Sequence, residues 1–228
     1  MTTRTAAETR ADYERAMGPD LGATFAAIDQ ELSHIHLVWG QYKILFGTKE
    51  SRVALLNEAS GSFFRIVQDG LFENVLLAIS RLTDRPAIAG HQTLTVQRLA
   101  DLIPDATLAA QVRAKVAIAL QAEDFCRDWR NNRIGHNNLQ HRLNPTAKPL
   151  KEATRLKVEA VLAALAQVVN TVALHYTNGT TAYSHVLPSH PDAEGLLYVI
   201  HDGLKAEKER RKRFDGGDFS IDDHPYDL

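Results

Sequence analysis

The sequence predicts an all-α protein: an antiparallel bundle of four long helices with an extra C-terminal helix. Two observations lead to this prediction. Apolar residues recur at helical spacing over four long stretches of the chain. Proline, glycine or asparagine stands near the ends of these stretches, where helices commonly stop. With 228 residues, of which 44% are hydrophobic, the chain can bury a sizeable core in one domain.

The first two predicted helices have the clearest apolar seams. In the first, apolar or aromatic residues alternate in steps of four and three until Gly47: Leu21, Phe25, Ile28, Leu32, Ile35, Trp39, Tyr42 and Phe46. The second has a similar row: Phe64, Val67, Leu71, Val75, Ala78 and Leu82. It should stop near Asp84, because Pro86 disfavours helical continuation.

The next part of the chain contains two more long helices. A loop is expected over residues 87–93 and a short helix over 94–102. The third long helix should begin near Asp105 and continue to about Gly135. The fourth lies between a proline and an Asn-Gly pair, and its apolar positions are Val158, Val161, Leu162, Leu165, Val168, Val169 and Val172.

A last helix is predicted over residues 193–214. Its end holds six basic residues: Lys205, Lys208, Arg210, Arg211, Lys212 and Arg213. This basic run is a solvated helix end or, alternatively, a surface that helps hold an RNA backbone. The predicted domain organisation is an N-terminal extension (1–19), the helical bundle (20–178), a loop with the C-terminal helix (179–214) and an acidic tail expected to be mobile (215–228).

The composition excludes several classes of protein. The net charge of −2 gives no overall attraction for nucleic acid, so a polyanion site must be a local patch. The single cysteine, Cys126, excludes an internal disulfide framework and a cysteine-rich zinc site, and it is more typical of a packing residue than of a nucleophile. No secretory signal or membrane-spanning apolar run is recognisable, so we expect a cytoplasmic protein. No metal-binding motif or glycine-rich phosphate loop is present, so we expect no metal and no cofactor.

The stretch DWRNNRIGHNN, residues 128–138, is unusual for a helix surface. Followed by helical phase, one inward-facing row consists of Val112, Val116, Ala119, Glu123, Cys126, Arg130 and Arg133. His136 continues a neighbouring apolar row. Charged groups on a buried face must be paired or line a groove. The alternative is a capped helix end, where basic residues and glycine are common. That alternative does not explain why the polar rows face inward.

The spacing Arg130-Asn131-(four residues)-His136 resembles the signature of the HEPN superfamily. The segment LLAISRLTDRP, residues 76–86, is similar to the AbiU-type abortive-infection branch of that superfamily. The resemblance implies a helical bundle with the motif toward the end of a long helix, and a metal-independent endoribonuclease of toxin or phage-defence systems. It also implies Arg130, Asn131 and His136 as catalytic positions. Related toxins often carry a tyrosine two residues after the motif histidine, where this chain has Asn138.

The chemistry of these residue types suits RNA cleavage. Imidazole titrates near neutral pH, so His136 can act as general base or acid. The planar guanidinium of Arg130 can bind the phosphate and stabilise its developing charge. Asn131 can orient either group. We add Arg133 as a further phosphate contact from its place on the Arg130 row. The adjacent amides of Asn132 and Asn137 complete the predicted substrate-binding set.

Three functions remain open at this point: an endoribonuclease, a catalytically silent HEPN module that binds RNA or a protein partner, and a helical interaction protein. The expected partners are RNA, a second copy of the chain and an antitoxin encoded by a neighbouring gene. A homodimer is expected for two reasons: ionised arginines on a buried face need partners, and Arg130 and His136 would point about 120° apart on a regular α-helix. Either Gly135 breaks the helix and returns His136 toward Arg130, or a cleft shared by two protomers brings the groups together. Arg81 and Asp84 are interpreted as a structural ion pair that braces the helix carrying the motif.

Overall fold

The structure, a computed structural model, describes residues 4–135, 138–139, 143, 149–185 and 192–219. It confirms the all-α class, since helices dominate and a two-residue antiparallel hairpin is the one sheet among the described residues. The elements in chain order are α1 (Ala6–Met17), α2 (Pro19–Tyr42), a π-helical turn (Lys43–Gly47), α3 (Glu50–Leu82), β1 (Ala87–Ile88), β2 (His91–Gln92), α4 (Gln97–Leu102), α5 (Ala106–Ala122), α6 (Asp124–Trp129), a second π-helical turn (Arg130–Ile134), α7 (Arg155–Thr177), a 3₁₀ turn (Tyr183–His185) and α8 (Ala193–Asp215).

Capping residues explain where several helices begin and end. At the start of α5, the Asp105 carboxylate accepts a hydrogen bond of 2.7 Å from the Leu108 amide. At the start of α7, the Thr154 hydroxyl accepts one of 3.3 Å from the Lys157 amide. That helix ends at Asn178, which adopts the left-handed conformation with φ of 50°. These ends lie close to those predicted from the sequence.

Helix α1 lies in the segment that the sequence analysis treated as an extension. Thr5 and Glu8 form a reciprocal capping box at its start. The helix then packs tightly against α2, because a Cβ atom added at Gly22 would lie 2.4 Å from the Glu14 Cα atom. Glycine at this position therefore permits the close approach of the two backbones.

The prediction of one helix from residue 105 to 135 is wrong in its continuity. The α-helix ends at Ala122, and Glu123 adopts φ of −82° and ψ of −5° before α6 begins. A π-helical turn then follows α6 without a gap. Helix α3 is also longer than predicted: it begins at Glu50 and is kinked at Ser60, whose backbone is extended.

The described residues of Met1–Gly40 and Gly70–Leu187 form one compact unit. Within it, α5 packs against α7. The core consists of buried apolar side chains from α2, α3, α5 and α7. Members of the predicted periodic rows make up most of it: Phe25, Ile28, Leu32, Ile35, Val75, Val112, Val161, Leu165, Val168 and Val169. Leu76 and Ile79 of α3 are also buried, although they were not part of the predicted row.

Helix α7 is long and apolar enough to cross a membrane by length and composition, and it is the one such helix among the described residues. Half of its most apolar window is buried inside the protein. A core helix of a soluble protein passes the same test, so this helix is weak evidence for a membrane span.

The described residues of Gln41–Asp69 and Pro188–Leu228 form a second compact unit. In it, the side chain of Arg52 donates to the Ile44 carbonyl and pairs with Glu194, at 2.9 and 2.8 Å. The basic run on α8 is partly neutralised within the same unit, because Lys208 pairs with Glu58 at 2.6 Å. Two further arginines of the run pair with a glutamate on their own helix.

Candidate functional site

The buried polar residues of the described chain gather next to the motif helix. Five residues make up this set: Ser80, Thr83, Asp84, Thr95 and Glu123. Buried polar groups must be hydrogen-bonded or paired to be tolerated, and such clusters are common at functional sites. Ser80, Thr83 and Asp84 lie at the end of α3 or just after it, in the segment that carries the AbiU-type resemblance. Thr95 follows the short hairpin that comes next in the chain.

The turn after α3 is fixed by hydrogen bonds from both sides. The Thr83 hydroxyl donates to the carbonyls of Ile79 and Ser80, at 2.9 and 3.1 Å, which closes the helix end. The Gln97 side-chain amide donates to the carbonyls of Thr83 and Asp84, both at 2.9 Å. The short hairpin and α4 therefore return the chain to hold the Asp84 backbone in place.

Asp84 pairs with the motif arginine. Its two carboxylate oxygens accept hydrogen bonds from Arg130 Nη1 at 2.6 and 2.8 Å, and Ser80 Oγ lies 3.4 Å from the same nitrogen. The Asp84 side chain is only 9% exposed, whereas that of Arg130 is 29% exposed. Among the described residues, the hydrogen bonds of the Arg130 side chain all come from Nη1. Toward the described residues, Nε and Nη2 donate no hydrogen bond, so their N–H groups can serve a ligand.

A second ion pair supports the first. Arg127 donates to Glu123 Oε1 through both Nη2 and Nε, at 2.6 and 3.0 Å, and its Nη1 contacts Asp84 Oδ1 at 3.3 Å. Burial raises the pKa of the Glu123 carboxyl, against the opposing effect of Arg127. Burial also acts to lower the pKa of Arg127, but its hydrogen bond and charge interactions with Glu123 and Asp84 raise it overall. Arg127 is thus a cation that shares Asp84 with Arg130.

The described part of the motif begins with the second π-helical turn, Arg130–Ile134. The Gly135 amide donates to the Arg130 carbonyl at 2.7 Å, which is a bond across five residues instead of the four of an α-helix. A Cβ atom at Gly135 would lie 2.9 Å from that carbonyl oxygen, so glycine is required for the approach. The angle of about 120° calculated for a regular α-helix does not apply to this turn.

Arg133 lies on the same π-helical turn, but its side chain has different neighbours from that of Arg130. Its Nε donates to Glu73 Oε1 at 2.8 Å, and its guanidinium carbon lies 5.2 Å from the centre of the Trp129 ring. The side chain remains 45% exposed. The helical row that ends in Arg130 and Arg133 was predicted to face inward. Glu123 of this row is buried as predicted, but Arg133 is exposed at the surface.

The predicted amides differ in their surroundings. Asn131 is exposed. Asn132 donates through its side chain to the Asp128 carbonyl and carboxylate, at 3.1 and 3.0 Å, and accepts a hydrogen bond of 3.0 Å from the Asn138 side chain. Its amide therefore has structural partners within the chain.

The remaining predicted site residues, His136 and Asn137, lie outside the described residues. Asp84 was predicted to brace the helix that carries the motif, and it contacts both Arg127 and Arg130 of that segment. Asp84 was also predicted to pair with Arg81, whereas the contact to Arg81 is a backbone hydrogen bond of 3.1 Å. The contribution of Glu73 was not anticipated, because nothing in the local sequence links it to a residue 60 positions later.

Cys126 is fully buried, and burial raises the pKa of its thiol, so it fits the role of a packing residue. Within the described part of the chain, no group of three or more histidine, cysteine, aspartate or glutamate side chains could hold a metal ion.

Comparisons with known proteins identify one family. Residues 18–195 match the HEPN family described as AbiU2, which covers most of the chain. No curated protein and no solved structure matches the chain.

Proposed function

Because the chain belongs to the AbiU2 family of HEPN domains, we propose that it is a metal-independent endoribonuclease of a toxin or phage-defence system. In this proposal Arg130, Asn131 and His136 are the catalytic residues. Arg133, Asn132 and Asn137 contribute to substrate binding. Family membership alone does not assign catalysis, so the proposal depends on the geometry around Arg130.

One observation carries the proposal: a buried carboxylate orients Arg130 through one nitrogen, while its other donors have no acceptor among the described residues. An arginine held in this way can receive a phosphate without first losing the freedom of its long side chain. The ion pair with Asp84 fixes the guanidinium, and Arg127 contacts the same carboxylate while it also pairs with Glu123. Two arginines and two carboxylates balance in charge, so the attraction for a phosphate comes from the directed N–H donors of Arg130 and not from a net positive field.

The proposed reaction uses the 2′-hydroxyl of the RNA as nucleophile. Its oxygen forms a bond to phosphorus as the bond from phosphorus to the 5′-oxygen breaks, which leaves a 2′,3′-cyclic phosphate and a 5′-hydroxyl. His136 removes the proton of the 2′-hydroxyl or delivers one to the leaving oxygen. Arg130 stabilises the negative charge that develops on the phosphate oxygens. Asn131, exposed on the same turn, is available to orient the phosphate.

A catalytically silent HEPN module that binds RNA or a protein partner is the second candidate. The observation that favours it is the short bond between Arg130 and Asp84, since a neutralised arginine binds phosphate less strongly. In a silent module, the ion pair would serve only to join the motif helix to α3. The two candidates differ in whether RNA is cleaved at all.

The decisive experiment incubates the purified protein with labelled total RNA. We expect cleavage by the natural protein, none by His136→Ala and almost none by Arg130→Ala, with thermal unfolding used to show that both variants are folded. The control is Arg113→Ala, which removes an exposed arginine from α5. Full cleavage by folded His136→Ala protein would exclude the proposed mechanism, and absence of cleavage by the natural protein would favour the silent module.

The proposed partners follow from the same function. RNA is the substrate, and an antitoxin encoded by a neighbouring gene would restrain the enzyme in a cytoplasmic location. Expression of the natural protein should then be toxic, and His136→Ala should relieve the toxicity. We also propose a homodimer in which the segments 128–138 of two protomers face one another.

A further inference from the structure

The exposed guanidinium of Arg133 is held in a fixed plane. One of its faces lies over the ring of Trp129, with 5.2 Å between the guanidinium carbon and the ring centre. Its Nε edge donates to Glu73 at 2.8 Å. A surface arginine normally moves through many rotamers, but contacts on both a face and an edge restrict this one. Beside these contacts, 45% of the side chain remains exposed.

Trp129 is itself fixed from two directions. The ring of Phe72 meets it edge-on, with 5.8 Å between the ring centres. Its indole nitrogen donates to the Lys151 carbonyl at 2.8 Å, and the Lys151 amide donates to the Asp128 carboxylate at 2.7 Å. The stack of Trp129 and Arg133 is therefore organised before any ligand arrives.

The stack lies near the phosphate-binding arginine. Arg130 and Arg133 belong to one π-helical turn, and both contact α3: Arg130 reaches Ser80, and Arg133 reaches Glu73. These α3 residues are seven positions apart, which corresponds to about 10 Å along a helix. A single nucleic acid strand a few nucleotides long can contact both arginines.

We propose that the exposed face of Arg133 stacks on an unpaired base of single-stranded RNA, close in sequence to the phosphate bound by Arg130. This inference rests on the proposed endoribonuclease function and changes the role of Arg133 from a phosphate contact to a base contact. Two features distinguish these roles. Glu73 occupies the Nε edge of Arg133, which leaves fewer donors for a two-pronged contact with a phosphate, and Trp129 holds the plane of the guanidinium while 45% of the side chain stays exposed. Unstacked RNA bases bind to guanidinium planes and aromatic rings without requiring a net charge.

The test measures binding with cleavage disabled. A short fluorescein-labelled single-stranded RNA is titrated into His136→Ala protein, and each nucleotide of the RNA is then replaced in turn by an abasic residue. The same series is repeated with a double variant that carries both His136→Ala and Arg133→Lys. The lysine keeps the positive charge but removes the planar group. The matched control is Arg113→Lys, an exposed arginine on α5 that pairs with Asp101 at 3.4 Å.

We expect Arg133→Lys to weaken binding of the intact RNA by roughly fivefold to a hundredfold, the range of one lost base stack. One abasic position should weaken binding to the Arg133 protein and have no further effect with Arg133→Lys. Arg113→Lys should leave the whole series unchanged. Because Arg133 is exposed, the variant should fold, which a thermal unfolding curve checks.

Three outcomes would overturn the inference. If Arg133→Lys binds the intact RNA as tightly as the parent, or if every abasic position costs the same in both proteins, Arg133 does not stack on a base. A further variant, Arg133→Gln, removes the charge as well as the plane. If only this variant weakens binding, and if its binding depends less on salt by the equivalent of about one phosphate contact, Arg133 binds phosphate instead. If cleavage by the natural protein still depends on His136, these outcomes overturn only the base contact. If the protein neither binds nor cleaves RNA, the proposed function fails as well.

Discussion

Asp84 holds Arg130 by a single nitrogen: both carboxylate oxygens accept from Nη1, at 2.6 and 2.8 Å. The two residues are 46 positions apart in the chain, so the contact joins the end of α3 to the π-helical turn that carries the motif. In the proposed reaction Asp84 is therefore a positioning residue: it determines where the guanidinium lies and need not contact the RNA itself.

Replacement of Asp84 by asparagine should reduce RNA cleavage roughly tenfold to a hundredfold, because a small displacement of a catalytic group has costs of that order. The substitution keeps the size of the side chain and one oxygen acceptor, but removes the charge that two arginines share. We expect the loss mainly in kcat, measured with a defined RNA substrate, since the positive charge of the site increases and binding should persist.

The same substitution should lower the free energy of unfolding by about 1–3 kcal/mol, as expected when a buried hydrogen-bonded charge loses its partner. The control is Asp101→Asn, whose side chain is 66% exposed and pairs with Arg113. It should change stability by less than about 0.5 kcal/mol and leave cleavage unaltered. Equal activity of Asp84→Asn and the natural protein would show that Asp84 has no positioning role.

The sequence predicted the helical class and the main buried seams because both depend on local periodicity. The inward direction of Glu123 and Cys126 was predictable for the same reason, and both are buried. The break at Glu123 was not predictable, because no proline or glycine marks it in the sequence. The pairing of Arg130 with Asp84 also depends on tertiary structure.

The π-helical turn was the other feature that periodicity could not reveal. Its bond from the Gly135 amide to the Arg130 carbonyl adds one residue to the turn, which shifts the phase of every position after it. An extrapolation at 100° per residue therefore fails beyond Trp129. Gly135 does stand at the end of the helical turn, as the sequence suggested, and it also allows a close approach to a carbonyl oxygen that the sequence did not reveal.

RNA cleavage should continue in excess EDTA and leave a 2′,3′-cyclic phosphate. The reason is that the proposed reaction uses the 2′-hydroxyl as nucleophile, with imidazole and guanidinium as the groups that assist it. End-group analysis of the fragments, with and without EDTA, measures both points. A strict magnesium requirement for the chemical step, or 5′-phosphate ends, would contradict the mechanism.

The homodimer remains a prediction, but its basis has changed. Arg130 and Arg133 have carboxylate partners in their own chain, so unpaired arginines no longer require a second protomer. The present reason is the exposure of two leucines just after the motif, Leu139 at 68% and Leu143 at 72%, since exposed apolar groups favour association, commonly with two-fold symmetry.

Light scattering at micromolar concentration should give the mass of a dimer for the natural protein and of a monomer for a Leu139→Lys, Leu143→Lys double variant. Leu174→Lys, which changes an exposed leucine on α7, should remain dimeric. A natural protein that is monomeric under these conditions would exclude the shared cleft.

Gly135→Ala should impair cleavage and leave the fold intact. The added Cβ atom would lie 2.9 Å from the Arg130 carbonyl oxygen, closer than carbon and oxygen normally approach, so the hydrogen bond that closes the π-helical turn must lengthen. We expect destabilisation of about 1–3 kcal/mol, as for other overpacked sites, measured by chemical denaturation. Cleavage should fall further than this stability loss explains, because His136 is the next residue and its approach to the phosphate bound by Arg130 depends on the path of the chain at Gly135.

The matched control is Gly70→Ala on α3, where an added Cβ atom meets nothing within 4 Å. That substitution should be neutral or stabilise by about 0.5–1 kcal/mol and should not affect cleavage. If Gly135→Ala cleaves RNA as fast as Gly70→Ala does, the π-helical turn is not part of the catalytic geometry.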